Sequence, residues 1–94
     1  MPEDKTVRLK ITGRVQGVGF RDWASTKAHE HGLSGWVRNR RDGSVEVLLS
    51  GAPDAVDLFV YEAQRGPPAA QVRSIDEEPS TERPPKLFEV KPSA

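Results

Sequence analysis

At 94 residues the chain is long enough for one compact domain and too short for two, so a single core must carry whatever site or surface the protein uses. Its 35% hydrophobic and 30% charged residues suit a folded domain, and fourteen basic residues against fourteen acidic ones leave no global charge to draw it to nucleic acid or an anionic membrane. The absence of cysteine excludes disulfides, thiolate metal sites and thiol nucleophiles, and no apolar run approaches the roughly 20 residues of a membrane span, so a cytoplasmic protein is expected.

Residues 1–6 are polar and charged and are expected as a flexible N-terminus to a domain over 7–91. From Val7 the apolar residues alternate (Val7, Leu9, Ile11, Val15) against Arg8, Lys10, Thr12 and Arg14, the pattern of a half-buried strand. Alternation stops at Gln16-Gly17-Val18-Gly19. Phe20, Trp23, Ala24 and Ala28 then recur at helical spacing until Gly32, a residue suited to the position just past a helix end.

Leu33 to Asn39 reads as a second strand, and Val45, Val47 and Leu49 mark a third. Asp42-Gly43 between them supplies the turn of an antiparallel hairpin. Pro53 fits the first position of a second helix, which would bury Val56, Phe59, Val60 and Ala63 before Gly66-Pro67-Pro68 ends it. Val72 and Ile75 mark a weaker fourth strand, and Leu87, Phe88 and Val90 a short last one. The order β-α-β-β-α-β plus a short strand predicts an α+β, ferredoxin-like sandwich with two helices on one face of an antiparallel sheet. A right-handed crossover would leave the first two strands parallel with the third between them, which makes the glycine loop and Asn39 neighbours.

The loop Gln16 to Arg21 suits an anion. Two glycines let successive amides point into one concavity, the following helix adds its unpaired N-terminal amides and dipole, and Arg21 offers a planar fork for two phosphoryl oxygens. Neither nucleotide motif fits, because Phe20-Arg21 stands where a Walker loop needs Lys-Ser/Thr, and Asp22 stands where a dinucleotide fingerprint needs glycine. Taken alone, the loop serves equally as a tight strand-to-helix turn with Arg21 in solvent.

The run Gly13-Arg14-Val15-Gln16-Gly17-Val18-Gly19-Phe20-Arg21, followed by Gly32 to Glu46 with Trp36-Val37-Arg38-Asn39 and Asp42-Gly43 within it, closely resembles the two signature segments of the acylphosphatases. The resemblance spans positions 13 to 51, including Gly51, and is weak over the last twenty residues. It implies metal-independent hydrolysis of an acyl phosphate to a carboxylate and inorganic phosphate, without a cofactor. Arg21 would hold the phosphoryl group, Asn39 would orient the attacking water, and the backbone amides of Gln16, Gly17, Val18, Gly19 and Phe20 would form the cradle. The implied partner is a small acyl phosphate, with inorganic phosphate or sulfate able to occupy the loop, and the protein is expected as a monomer without nucleic acid or membrane partners.

Other residues carry less. His29 and His31 point in different directions and cannot share a metal, and Asp22 suits the helix dipole better than general-base catalysis. Arg38, Arg40 and Arg41 would steer an anion or simply be solvated, and packing is the simpler role for Trp36. Ser34 and Ser44 have no histidine placed to activate them. Two other classes stay open. RNA-binding domains share the strand order but stack bases on aromatics, which the first and third strands lack. A non-catalytic module for a phosphorylated ligand or partner is the second, as when this fold is attached to larger enzymes such as the hydrogenase-maturation carbamoyltransferase family.

Overall fold

In the computed structural model, which describes residues 3–94, the alternating N-terminal stretch is a strand, β1 (Lys5–Arg14), with Val7, Leu9 and Ile11 buried on one face. Residues 1 and 2 of the expected flexible N-terminus lie outside the described residues, whereas Lys5 and Thr6 already belong to the strand. The chain continues through α1 (Phe20–Glu30), β2 (Ser34–Asn39), β3 (Val45–Gly51), α2 (Pro53–Ala63), β4 (Gln71–Pro79) and β5 (Phe88–Val90).

The sheet order is β4-β1-β3-β2-β5. β3 pairs antiparallel with both β1 and β2, so those two run parallel and end on the same side of the molecule. β4 adds an antiparallel edge with a bulge at Thr12/Gly13, and its nine residues follow the backbone of β1 well beyond the reach of its own apolar pair, Val72 and Ile75. The last strand departs from the expected antiparallel sheet: β5 pairs parallel with β2, Val37 opposite Val90, because residues 80–87 cross over the sheet instead of turning back in a hairpin. Leu87 falls outside β5 and is exposed.

Both helices cover one face, α1 over β2 and β5 and α2 over β1 and β3, completing a ferredoxin-like α+β sandwich. Phe20, Phe59, Leu9, Ile11, Val37, Val47 and Leu49 fill the space between the layers. Trp23 bridges the helices, its ring centroid 5.3 Å from Phe20 and 5.7 Å from Phe59 in tilted contacts.

The opposite face of the sheet is organised around a carboxylate. Glu46 on β3 is only 8% exposed, and its Oε1 accepts from Arg38 Nε at 2.7 Å and Arg40 Nη1 at 3.0 Å, with Arg8 Nε 3.7 Å from Oε2. Burial opposes ionisation of Glu46, but the hydrogen bonds and charges of Arg38 and Arg40 outweigh it and hold the carboxyl below its usual range. Beside it Trp36, 3% exposed, donates its indole N–H to Glu82 at 3.0 Å, and the Arg38 guanidinium lies 4.8 Å from the ring centroid. Glu82 also accepts from Arg8 at 2.7 Å, so the β4–β5 connection is fastened across this face.

Because the folded carboxyl of Glu46 is depressed, its contribution to stability is present above its ordinary value and is lost as pH falls through the folded value. Glu46→Gln is expected to lower stability at pH 7 by about 1–3 kcal/mol, less than for a fully buried pair because the arginines are partly solvated. The gap between variant and parent should close as urea denaturation is repeated from pH 5 down to pH 3. A gap independent of pH would contradict the role of the charge.

Candidate functional site

The site begins where β1 runs out. Val15 is buried at 1% exposure and anchors the chain, Phe20 is buried at 2% on the other side of the turn, and the backbone between them must reverse. Gly17 at φ +73° and Gly19 at φ +80° take left-handed conformations that disfavour any side chain. A Cβ at either would meet nothing within 4 Å, so backbone angle alone calls for glycine and the loop surface stays open. Gly19 is the N-cap of α1 and offers no side-chain cap, so the amides of the first turn have no capping partner and the positive end of the helix dipole faces outward.

Gly17, Gly19, Phe20, Arg21, Asp22, Asn39, Val15 and Val90 line one cavity of about 260 Å³. Arg21 is half-buried and takes part in no ion pair, and the Asn39 side-chain amide in no hydrogen bond, among the described residues. The two polar groups therefore face the same small space with their donors free. The side chains of Gln16 and Val18, both expected in the cradle through their backbone amides alone, turn away from it: Val18 packs against the core and Gln16 reaches the β2–β3 turn. Larger concavities lie over Arg8, Glu46 and Glu77, about 580 Å³, and beside Trp23, Tyr61 and Arg65, about 740 Å³, but neither borders a helix N-terminus.

Three features of the site carry no clear mark in the sequence. The Gln16 amide donates to Arg40 O at 2.7 Å and Ser44 O at 2.9 Å, tying the loop to the β2–β3 turn next to Asn39. The C-terminal segment extends past β5 along β2: Lys91 N donates to Val37 O at 2.8 Å, Ala94 N to Asn39 O at 2.9 Å, and Ala94 O accepts from Arg41 N at 2.9 Å. Asn39 is thus held on both sides of its backbone, by β3 and by this strap. The third is the presence of Asp22 and Val90 in the lining, which only the packing of α1 and β5 determines.

The turn itself is stiffened by Asp42, whose Oδ1 accepts from Ser44 Oγ at 2.6 Å and Ser44 N at 2.9 Å. Those bonds, the hydroxyl's first, hold its carboxyl at about 2. Ser44 is thereby occupied, as is Ser34, which donates to Ser50 O at 3.3 Å. His29 is exposed on α1, and His31 sits just past the helix with its Nε2 on Glu62. Of the three hairpin arginines, Arg38 and Arg40 are held by Glu46, and Arg41 is in no ion pair among the described residues.

The acylphosphatase family model matches residues 7–90. An acylphosphatase of Nitrobacter hamburgensis is 49% identical over 77 residues, which cover 82% of this chain and 78% of the relative. The structure of an acylphosphatase from Coxiella burnetii superposes with a TM-score of 0.90 at 31% identity, covering 95% of this chain and 94% of that one. Full-length HypF in a phosphate- and nucleotide-bound form contains a similar unit, with a TM-score of 0.90 and 26% identity over 99% of this chain and 12% of that protein.

Gln16→Leu removes a donor shared by two carbonyls and is expected to cost roughly 1 kcal/mol of stability. Its diagnostic effect is local. Amide hydrogen exchange should quicken in the β2–β3 turn around Arg40 to Ser44 and leave the β1–β3 ladder unchanged, whereas uniform acceleration would show that the bond only supports global stability.

Proposed function

The chain belongs to the acylphosphatase family, and on that premise we propose that it hydrolyses small acyl phosphates to a carboxylate and inorganic phosphate, without a metal or cofactor. The observation that carries the reading is the single cavity in which the left-handed loop, Arg21 and Asn39 meet.

In this mechanism the phosphoryl oxygens accept from the loop amides of residues 16–20 and from the Arg21 guanidinium, whose fork matches two oxygens. Charge in the transition state spreads over the three equatorial oxygens, so donors already fixed in place stabilise it without covalent catalysis. The Asn39 amide holds a water for in-line attack on phosphorus. As the water oxygen bonds to phosphorus, the bond to the acyl oxygen breaks and the carboxylate leaves with the electron pair. Being a weak base, it needs no proton donor, and the water proton passes to a phosphate oxygen or to bulk water. Gln16 and the C-terminal strap contribute by fixing the loop and Asn39 relative to each other.

All groups in this scheme come from one chain, so a monomer is the working form we propose, and the cytoplasm its setting. No helix among the described residues is long and apolar enough to cross a membrane. Inorganic phosphate, or sulfate in its place, would compete for the loop.

The purified protein is expected to turn over acetyl phosphate and benzoyl phosphate in buffer containing a chelator, at the rate seen without it. No turnover in either buffer would defeat the proposal. Arg21→Ala should lose both inorganic phosphate inhibition and turnover. Asn39→Ala should keep phosphate inhibition within a few-fold while kcat falls by roughly 100-fold or more, as when a transition-state hydrogen-bonding group is removed. Equal loss of both properties in the two variants would contradict the division of roles.

A further inference from the structure

We infer that Asp22 selects among acyl groups, turning away acyl phosphates whose acyl chain carries a second negative charge and favouring neutral, apolar ones; the inference rests on the hydrolytic reading above. The cavity has few side chains to spare. With the loop amides and Arg21 given to the phosphoryl group and Asn39 to water, the acyl half is left with two exposed groups, the Asp22 carboxylate and the Val90 side chain. Val90 lies opposite Val37, two residues before Asn39, and offers an apolar wall.

The charges around the cavity point the same way. Arg21 is the one cation in its lining, and Asp22 takes part in no ion pair among the described residues, so no side-chain cation is paired with it. Of the other basic side chains near this end, Arg38 and Arg40 hold Glu46, and Lys91 lies over the Trp36 ring. Arg14 and Arg73 border a separate concavity with Lys10 and Asp42, and Arg41 is outside the cavity lining. With Arg21 given to the phosphoryl group, a second anion on the substrate would find no further cation in the cavity lining and one carboxylate to repel it. In a solvated cavity that repulsion is worth roughly three- to tenfold in relative rate, and it falls with ionic strength. Specificity of this kind comes from a built-in repulsion, not from an added contact.

Asp22 also suits the first turn of α1 through the helix dipole, so loss of activity on its own would prove nothing. The discriminating quantity is a ratio. Butanoyl phosphate and succinyl phosphate share a chain length and differ in the distal carboxylate. The unaltered protein should favour the butanoyl compound in kcat/KM. Asp22→Asn should raise the succinyl-to-butanoyl ratio about three- to tenfold at low salt, Asp22→Lys should raise it further, and the gain should shrink in 1 M salt. A ratio unchanged in the Asn variant overturns the inference, and that variant decides the matter if lysine at the helix start weakens α1. Absence of turnover on both substrates by the unaltered protein overturns the hydrolytic reading, and the inference with it.

Discussion

The left-handed backbone at Gly17 and Gly19 is the constraint on which the rest of the site depends. A serine or aspartate at the N-cap of α1 would satisfy the first-turn amides with its own oxygen. Glycine leaves them without a side-chain cap and at the same time turns the chain so that Gly17, Gly19, Phe20 and Arg21 line one cavity. With glycine in place of a capping side chain the helix forgoes only about a few tenths of a kcal/mol, and buried Val15 and Phe20 on either side hold the turn in place. Arg21 follows directly, so its reach toward the cavity is set by the same few backbone angles.

The loop gains a chemical partner only through the sheet. β3 between β1 and β2 brings Asn39 to the end where β1 stops, and the Gln16 amide ties the loop to a turn 24 residues away in sequence. On the far side of the same hairpin Glu46 holds Arg38 and Arg40, and the strap to Ala94 holds Asn39 and Arg41 from the edge. A hairpin anchored on both faces and along its outer edge has little freedom, which suits the positioning role proposed for Asn39.

Much of this was legible in the sequence because it is local. The alternation of Val7, Leu9 and Ile11, the helical spacing of Phe20, Ala24 and Ala28, Asp42-Gly43 in the hairpin and Pro53 at the second helix each mark an element through its own chemistry, and right-handed crossover then places Asn39. What stayed hidden depends on neighbours distant in sequence. β4 takes its length from the ladder with β1, and the parallel pairing of β5 depends on where residues 80–87 cross. Trp36 is packed, as its simpler role implied, but its partner Glu82 lies 46 residues away in sequence and so left no local mark. The side chain of Gln16 gave no sign at all, since a glutamine beside a glycine reads as a solvated loop residue until its two carbonyl partners are in place.

The two flanks of the sheet are treated differently. β5 and the strap leave little free backbone beyond β2, whereas β4 is a nine-residue outer strand, mostly exposed, with an unpaired ladder edge. Such an edge invites a second chain to dock. Here Asp76, Glu77 and Glu78 run consecutively along it and Pro79, which has no amide hydrogen, closes it. Two copies meeting antiparallel over this stretch would set carboxylates against carboxylates. The guard against edge-to-edge pairing is thus carried by the strand that contributes no residue to the buried core cluster, and it consists of side-chain charge where the other flank uses a covering strap.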